Sequence, residues 1–457
     1  MAYTVRPYQY YDVTMALCSQ CLRRVDAKVV FQDGNVYLDK RCPDHGPERV
    51  LLSDDIDYYR RSREIFMQPG GMPNVRQTEI SKGCPFDCGL CPDHEQHTCV
   101  AVLEVTDHCT LRCPVCYAAS GPERPEYRSL EQIRSMLETV ARSEDKLNVL
   151  QISGGEPTLH PDFFAILDLA RTFPVRHLMV NTNGLRIARD RAFVERLATY
   201  MPDFEIYLQF DSLQAEALQA LRGADLRQVH EQALANLSEF GISTTLVVTL
   251  ARGINDSEVG EIIRFAVAQP SVRGITFQPV QLAGRFEHDV EKRLTISEVR
   301  KAIYTQSGIF RPEDVIPVPC HSESLSMAYA FKVGGGVMPL TGLIEPRILI
   351  EAGANTIAYE HDPEVGARLF AAFAANHSPS SNAAALRELL ACFPDNCNFG
   401  ELTYANVFRV MIVQFMDAHN LDARALKRSC VHIIHPDGRL IPFDTFNIFH
   451  RQGGVQR

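Results

Sequence analysis

The 457-residue chain contains no run of about 18 uncharged apolar residues, the minimum for a helix that crosses a bilayer. Its first residues, MAYTVRPYQYYDV, lack the basic start and apolar core of a secretory signal. No polybasic patch or basic amphipathic segment marks a membrane-surface anchor. With a net charge of -10 and no compensating basic stretch, the chain is also unsuited to binding a phosphate backbone. These absences lead to the expectation of a cytoplasmic protein, at most peripheral to a membrane, with no transmembrane segment and no nucleic-acid partner.

Cysteine, by contrast, is plentiful. There are fourteen, most of them in tight clusters, and in a reducing compartment such clusters read as metal ligands rather than disulfides. With 46 % hydrophobic and 22 % charged residues, the composition is that of an ordinary globular protein long enough for two or three domains.

The stretch HCTLRCPVCY holds Cys109, Cys113 and Cys116. At C-x3-C-x2-C spacing, three soft thiolates can share one 4Fe-4S cluster and leave the fourth iron open to a ligand. Residues 148–158 read NVLQISGGEPT, a buried strand that breaks into a glycine turn. Glycine lets the backbone approach a ligand closely, and Glu156 offers an acceptor for an ammonium group. The competing reading is a zinc knuckle beside a chance glycine pair, although zinc sites favour two C-x2-C pairs.

Together these two stretches resemble the radical S-adenosylmethionine (SAM) superfamily. The resemblance implies that Cys109, Cys113 and Cys116 carry the catalytic 4Fe-4S cluster and that its open iron chelates SAM. Gly154, Gly155, Glu156 and Pro157 would lie at the methionyl end. It also implies reductive cleavage of SAM to a 5'-deoxyadenosyl radical, which abstracts hydrogen from an unactivated carbon. One departure is that the aromatic residue usual before the third cysteine is Val115 here, while Tyr117 follows it and is taken as a cofactor contact.

Upstream, CSQCLRRVDAKVVFQDGNVYLDKRCPDHG sets Cys18 and Cys21, then Cys42 and His45, on either side of an Asp33-Gly34 hairpin signal. Three thiolates and an imidazole close a tetrahedral site for zinc or a single iron. Such a metal would staple a module too small to fold alone. After a Gly/Pro linker, KGCPFDCGLCPDHEQHTC supplies Cys84, Cys88, Cys91 and Cys99, four thiolates for an auxiliary 4Fe-4S cluster, with His94 or His97 as the alternative to Cys99.

Residues 101–285 alternate apolar runs with amphipathic segments, as repeated βα units do. The expected strands are AVLEVT, NVLQIS, HLMVNT, FEIYLQF, STTLVVTL and GITFQPV, and six such units fit a partial (β/α)6 barrel. Ser129 and Gln132 form a capping-box pattern ahead of Ile133, Met136, Leu137 and Val140 at helical spacing. Ligands of parallel barrels lie at the carboxyl ends of the strands. The candidate contacts there are Asn181, Asn183, Gln209, Asp211, Thr249, Gln278 and Gln281, each of which can equally be a turn or cap residue.

The expected organisation is a rubredoxin-like or zinc-ribbon module over 1–65, an auxiliary-cluster loop over 66–100, the barrel over 101–310 and a C-terminal α+β domain over 311–457. That last domain holds helix-like segments near 363–375 and 383–391, a Pro436-Asp437-Gly438 hairpin, and Cys320, Cys392, Cys397 and Cys430. These four cysteines form either a second auxiliary cluster or ordinary buried thiols.

The order of parts resembles the group of radical SAM enzymes that contains archaeal tetraether lipid synthase and the methanopterin-biosynthesis methylase. This resemblance implies carbon–carbon bond formation, by coupling or methylation, on a lipid-like or pterin-like small molecule. An external electron donor such as flavodoxin or ferredoxin is implied as well. It also implies further cysteines where this chain has Ser324 and Asp444, which leaves the metal content of the C-terminal domain open. Peptide modification and a non-catalytic iron-sulfur electron carrier are the rival readings.

Overall fold

A computed structural model describes residues 7–67, 71–288, 292–333, 336–341 and 407–451. Cys392, Cys397 and the helix-like segments 363–375 and 383–391 lie outside them. The N-terminal module is an antiparallel meander of β1 (Gln9–Leu17), β2 (Arg24–Gln32), β3 (Asn35–Cys42) and β4 (Gly46–Ser53). Its central turn places Asp33 and Gly34 at φ 51° and 80°, the paired positive angles that a two-residue hairpin of this twist requires. The helix α1 (Ile56–Glu64) follows, its N-terminus capped by the Asp55 carboxylate accepting from Tyr58 N at 2.9 Å.

The expected partial (β/α)6 barrel is present. β5 (Val100–Glu104) is followed by a two-residue β6 (Val115–Cys116), then by β7 (Leu147–Ser153), β8 (Val175–Thr182), β9 (Phe204–Gln209), β10 (Thr244–Leu250) and β11 (Val272–Pro279). β5 and β7 to β11 pair in chain order, all parallel. Between and after them run α2 (Leu130–Ser143), α3 (Phe163–Arg171), α4 (Leu185–Arg189), α5 (Arg191–Ala198), α6 (Ala215–Arg222), α7 (Arg227–Glu239), α8 (Val259–Ala268) and α9 (Ile296–Gln306). The capping box of α2 forms as read, Ser129 and Gln132 exchanging both hydrogen bonds.

Strand periodicity divides the side chains between two cores. Leu150, Ile152, Val180, Leu208 and Leu246 pack outward against the helices through Ile133, Leu167 and Leu237. Val149, Met179, Tyr207 and Val247 point inward and fill the barrel. Near its floor Glu205 accepts from His177 at 3.1 Å and from Arg409 at 2.6 Å, a buried ionic brace joining three strands.

An open parallel sheet leaves unpaired backbone groups on its first and last strands, and C-terminal residues cover both edges. β12 (Arg285–Phe286) pairs with β6, and β13 (Ile316–Pro317) leads into β14 (Leu325–Val333) and β15 (Gly336–Pro339). β16 (Val407–Val413) lies parallel beside β11 and antiparallel to β14. On the opposite edge, β17 (Val431–Ile434) runs parallel to β5 and turns back as β18 (Leu440–Pro442). No helix among the described residues is long and apolar enough to cross a membrane.

Candidate active site

The site forms where the loop after β5 meets the turn after β7. Gly155 N donates to Thr106 O and Glu156 N to His108 O, both at 2.8 Å, so the glycine turn is zipped to the chain that enters Cys109. Only glycine allows this approach. A Cβ on Gly154, which sits at φ +134°, would lie 2.3 Å from Thr106 O, and one on Gly155 would lie 2.2 Å from His108 O.

Glu156 is 2 % exposed and already satisfied. One carboxylate oxygen accepts from Thr158 Oγ1 at 2.6 Å and Thr182 Oγ1 at 2.7 Å, and the other from Asn183 N at 2.7 Å. Burial raises its pKa, and these donors oppose the rise. The acceptor expected for an ammonium group thus also braces β7 against β8.

One cavity at the carboxyl ends of the strands is lined by Cys109, Cys113, Cys116 and Tyr117 together with Gly154, Gly155 and Glu156. Asn181, Asn183, Gln209, Thr249, Gln278 and Gln281 also reach it, whereas Pro157 and Asp211 do not line it. Leu111 N and Asn183 Nδ2 aim at the Cys109 sulfur, at 3.4 and 3.9 Å. Asn181 Nδ2 donates to Ser153 Oγ at 3.3 Å, and the Tyr117 hydroxyl lies 3.5 Å from the same oxygen.

Asp211 is fully buried at φ 65° and acts as a brace. Arg222 grips it with two hydrogen bonds of 2.5 and 2.8 Å and also donates to Thr249 Oγ1 at 2.7 Å and Val115 O at 3.2 Å. A guanidinium is thereby held beside the cysteine loop. Arg285 pins the same loop from the other side, donating to Cys113 O at 2.5 Å and Ser120 O at 2.7 Å. Sequence reasoning missed both arginines; only the buried strand-end Asp211, which demands a cation, hinted at one of them.

It also missed the cavity's aromatic wall. Phe443 packs on Tyr117 at 4.9 Å and stacks on Phe415 at 4.0 Å between centroids. Arg451 lies over the Tyr117 ring and binds Glu104 of β5 through contacts of 2.5 and 3.0 Å.

The described cysteines form four sets. In the ribbon, His45 Nδ1 stands 3.5 Å from both Cys18 and Cys42, and Cys21 is 3.8 Å from Cys42, a tetrahedral donor set of the kind a single ion needs. Cys84, Cys88 and Cys91 line one small cavity with His94. Cys99 does not line that cavity. It lies with Cys320 and Cys430, the three sulfurs all within 4.8 Å of one another. Burial, then the Glu156 carboxylate, pushes the Cys109 thiol up to about 12, and burial likewise pushes Cys88 to about 12. Buried thiols of this kind ionise when a metal supplies the positive charge, so both cluster-like triplets fit iron-sulfur ligation.

A Radical SAM superfamily model matches residues 103–266 and an HMPTM N-terminal zinc ribbon domain matches residues 10–54. The chain is 32 % identical over 480 aligned residues to the 7,8-dihydro-6-hydroxymethylpterin dimethyltransferase of Methanocaldococcus jannaschii, covering 96 % of this chain and 94 % of that protein. It is 27 % identical to the mycofactocin maturase MftC of Mycolicibacterium smegmatis over 38 % of this chain and 43 % of that one. Among solved structures, Streptococcus suis SuiB bound to precursor peptide SuiA aligns at a TM-score of 0.39 and 16 % identity, over 46 % of this chain and 45 % of that one.

Proposed function

The chain belongs to the radical SAM superfamily, in the family of the M. jannaschii 7,8-dihydro-6-hydroxymethylpterin dimethyltransferase, and is a radical SAM methylase; from that premise we propose that it methylates a pterin-like planar heterocycle. The reading is supported most by one juxtaposition. The cavity that joins the cysteine triplet to the glycine turn is walled by Phe415 and Phe443, whose stacked rings offer a flat apolar face to a flat substrate. The strand-end amides of Gln209, Gln278 and Gln281 border the same space and supply the donors and acceptors that a pterin edge needs.

Cys109, Cys113 and Cys116 would hold the catalytic 4Fe-4S cluster. The turn Gly154–Pro157, with Asn181, Asn183 and Thr249, would seat SAM, and Glu156 and Asp211 would act by bracing. The cluster and SAM together supply the one-electron chemistry that activates an unreactive C–H bond. The protein's own part is positional. Asn183 and Leu111 N donate toward the Cys109 sulfur, Arg222 sets a positive charge beside the loop, and the aromatic wall excludes water.

Cys84, Cys88 and Cys91 would hold an auxiliary cluster, with one iron left without a thiolate among the described residues. The ribbon set Cys18, Cys21, Cys42 and His45 would hold zinc or a single iron. An external one-electron donor of the flavodoxin or ferredoxin class completes the scheme.

The test is isotopic. The reconstituted enzyme is incubated anaerobically with SAM and a deuterated 7,8-dihydro-6-hydroxymethylpterin, and the masses of the pterin and of 5'-deoxyadenosine are read. A methylated pterin supports the proposal. Abundant 5'-deoxyadenosine with no change in the pterin removes the pterin from the reading.

A further inference from the structure

The set Cys99, Cys320 and Cys430 is assembled from three distant parts of the chain. Cys99 lies directly ahead of β5, Cys430 directly ahead of β17, and Cys320 in the turn Pro319–His321 before β14. Backbone bonds fix the first two against each other, since Cys99 N and Val100 N both donate to Cys430 O, at 2.9 and 3.1 Å. Gln96, fully buried, ties in the third: its Nε2 donates to Cys320 O at 2.9 Å while its Oε1 accepts from His97 N at 3.0 Å. All three thiols are buried and none is in a disulfide.

The separations decide what such a set can hold. A tetrahedral ion with metal–sulfur bonds of about 2.3 Å holds its sulfurs about 3.8 Å apart. Cys320 and Cys430 are 3.9 Å apart, and the ribbon pair Cys21 and Cys42 shows the same spacing at 3.8 Å. An iron-sulfur cube ends each thiolate on its own iron and spreads the sulfurs wider. Consistently, neither Cys109, Cys113 and Cys116 nor Cys84, Cys88 and Cys91 gathers within the 4.8 Å that encloses this set and the ribbon set.

A fourth donor stands beside it. His97 Nε2 lies 3.6 Å from Cys99 Sγ, and its Nδ1 lies 3.2 Å from Glu144 Oε2. The carboxylate can only accept, so Nδ1 carries the proton and the Nε2 lone pair is left facing the Cys99 sulfur, although His97 stays outside the 4.8 Å that gathers the three sulfurs. Glu144 is itself buried and fixed, its other oxygen accepting from Thr98 N at 2.7 Å. A carboxylate orienting an imidazole whose far nitrogen faces sulfur is the arrangement by which metal-bound histidines are held.

We propose that Cys99, Cys320 and Cys430 bind one thiophilic metal ion, zinc or sulfide-free iron, with His97 drawn in from beside Cys99 as the fourth ligand, and that the ion staples the C-terminal strands to the first strand of the barrel. The ion is distinct from both iron-sulfur triplets and from the ribbon metal. It anchors the segment that carries Phe443.

Metal and acid-labile sulfide are counted on the anaerobically purified full-length protein, in wild type and in variants. The expected wild-type result is two sulfide-free ions per chain. Cys430→Ala or Cys320→Ser loses one of them with sulfide unchanged, and Cys21→Ala loses the other. In cobalt-loaded protein carrying Cys21→Ala, His97→Ala shifts the visible bands of the remaining ion, and His97→Cys retains the ion with an all-sulfur spectrum. A fall in sulfide together with iron in Cys430→Ala would mean a cluster and overturn the proposal. So would an unchanged metal count in that variant, or, should both variants fail to fold, a wild-type count of one sulfide-free ion.

Discussion

Gly155→Ala is the most direct probe of how the site is held together. A methyl group there would sit 2.2 Å from His108 O, 2.6 Å from His108 C and 2.9 Å from Asp107 O. All three are backbone atoms, so no side chain can move aside, and ordinary contact requires the turn to retreat by roughly 1 Å. The retreat breaks the bonds from Gly155 N to Thr106 O and from Glu156 N to His108 O, at about 1 kcal/mol each. Residual overpacking adds about 1–3 kcal/mol. A displacement of about 1 Å at a reacting centre costs a factor of about 100 in rate. The assay is anaerobic formation of 5'-deoxyadenosine by protein matched for iron and sulfide. Gly308→Ala is the control: Gly308 sits at φ +67° in open space, so alanine there costs about 1 kcal/mol of stability and leaves turnover near wild type. Gly155→Ala turning over within about twofold of wild type would refute the zipped-turn reasoning.

Arg222→Met strips the buried Asp211 carboxylate of its cation and is expected to cost about 3–5 kcal/mol in urea unfolding; adding Asp211→Asn should recover more than half, and no recovery would contradict the pairing. His230 is buried against Phe210, and burial pushes its pKa from 6.5 down to about 4. The folded chain keeps this ring neutral while the unfolded chain protonates it, so its contribution is whole above pH 6.5 and fades as pH falls toward 4, by about 3 kcal/mol. His230→Phe should therefore lose less stability than wild type between pH 7 and pH 4, and parallel curves would contradict this. Phe443→Leu removes one ring of the wall and is expected to raise the KM for the pterin about three- to tenfold while substrate-free cleavage of SAM persists; an unchanged KM would place the heterocycle elsewhere.

The six barrel strands and the α2 cap could be read in advance because their signals are local: apolar runs alternating with amphipathic segments, a Ser-x-x-Gln cap, a Gly-Gly turn. The ribbon was legible for the same reason, its Asp33-Gly34 turn and its knuckles lying within 30 residues of each other. What escaped was long-range pairing. Nothing in VFRVMIV announces that it lies beside β11, or in VHII that it lies beside β5, because an edge is covered by whichever apolar strand the chain brings back. Cys99 sits eight residues after Cys91 in sequence, yet β5 and β17 carry it to Cys430. Arg222 and Arg285 carry no motif, and their role exists only where a buried carboxylate and loop carbonyls need donors. Glu156 shows the reverse: the motif was legible, but the bonds that hold its side chain to Thr158, Thr182 and Asn183 were not, because they join β7 to β8.

The most direct measurement is SAM cleavage by the anaerobically reconstituted, reduced protein in the presence of 7,8-dihydro-6-hydroxymethylpterin, compared with Cys113→Ala. A radical SAM methylase built on Cys109, Cys113 and Cys116 must form 5'-deoxyadenosine in the wild type, and the product must vanish in the variant while the auxiliary iron and sulfide remain. A wild-type protein with full clusters and no cleavage, or a Cys113→Ala variant that still cleaves, would contradict that assignment.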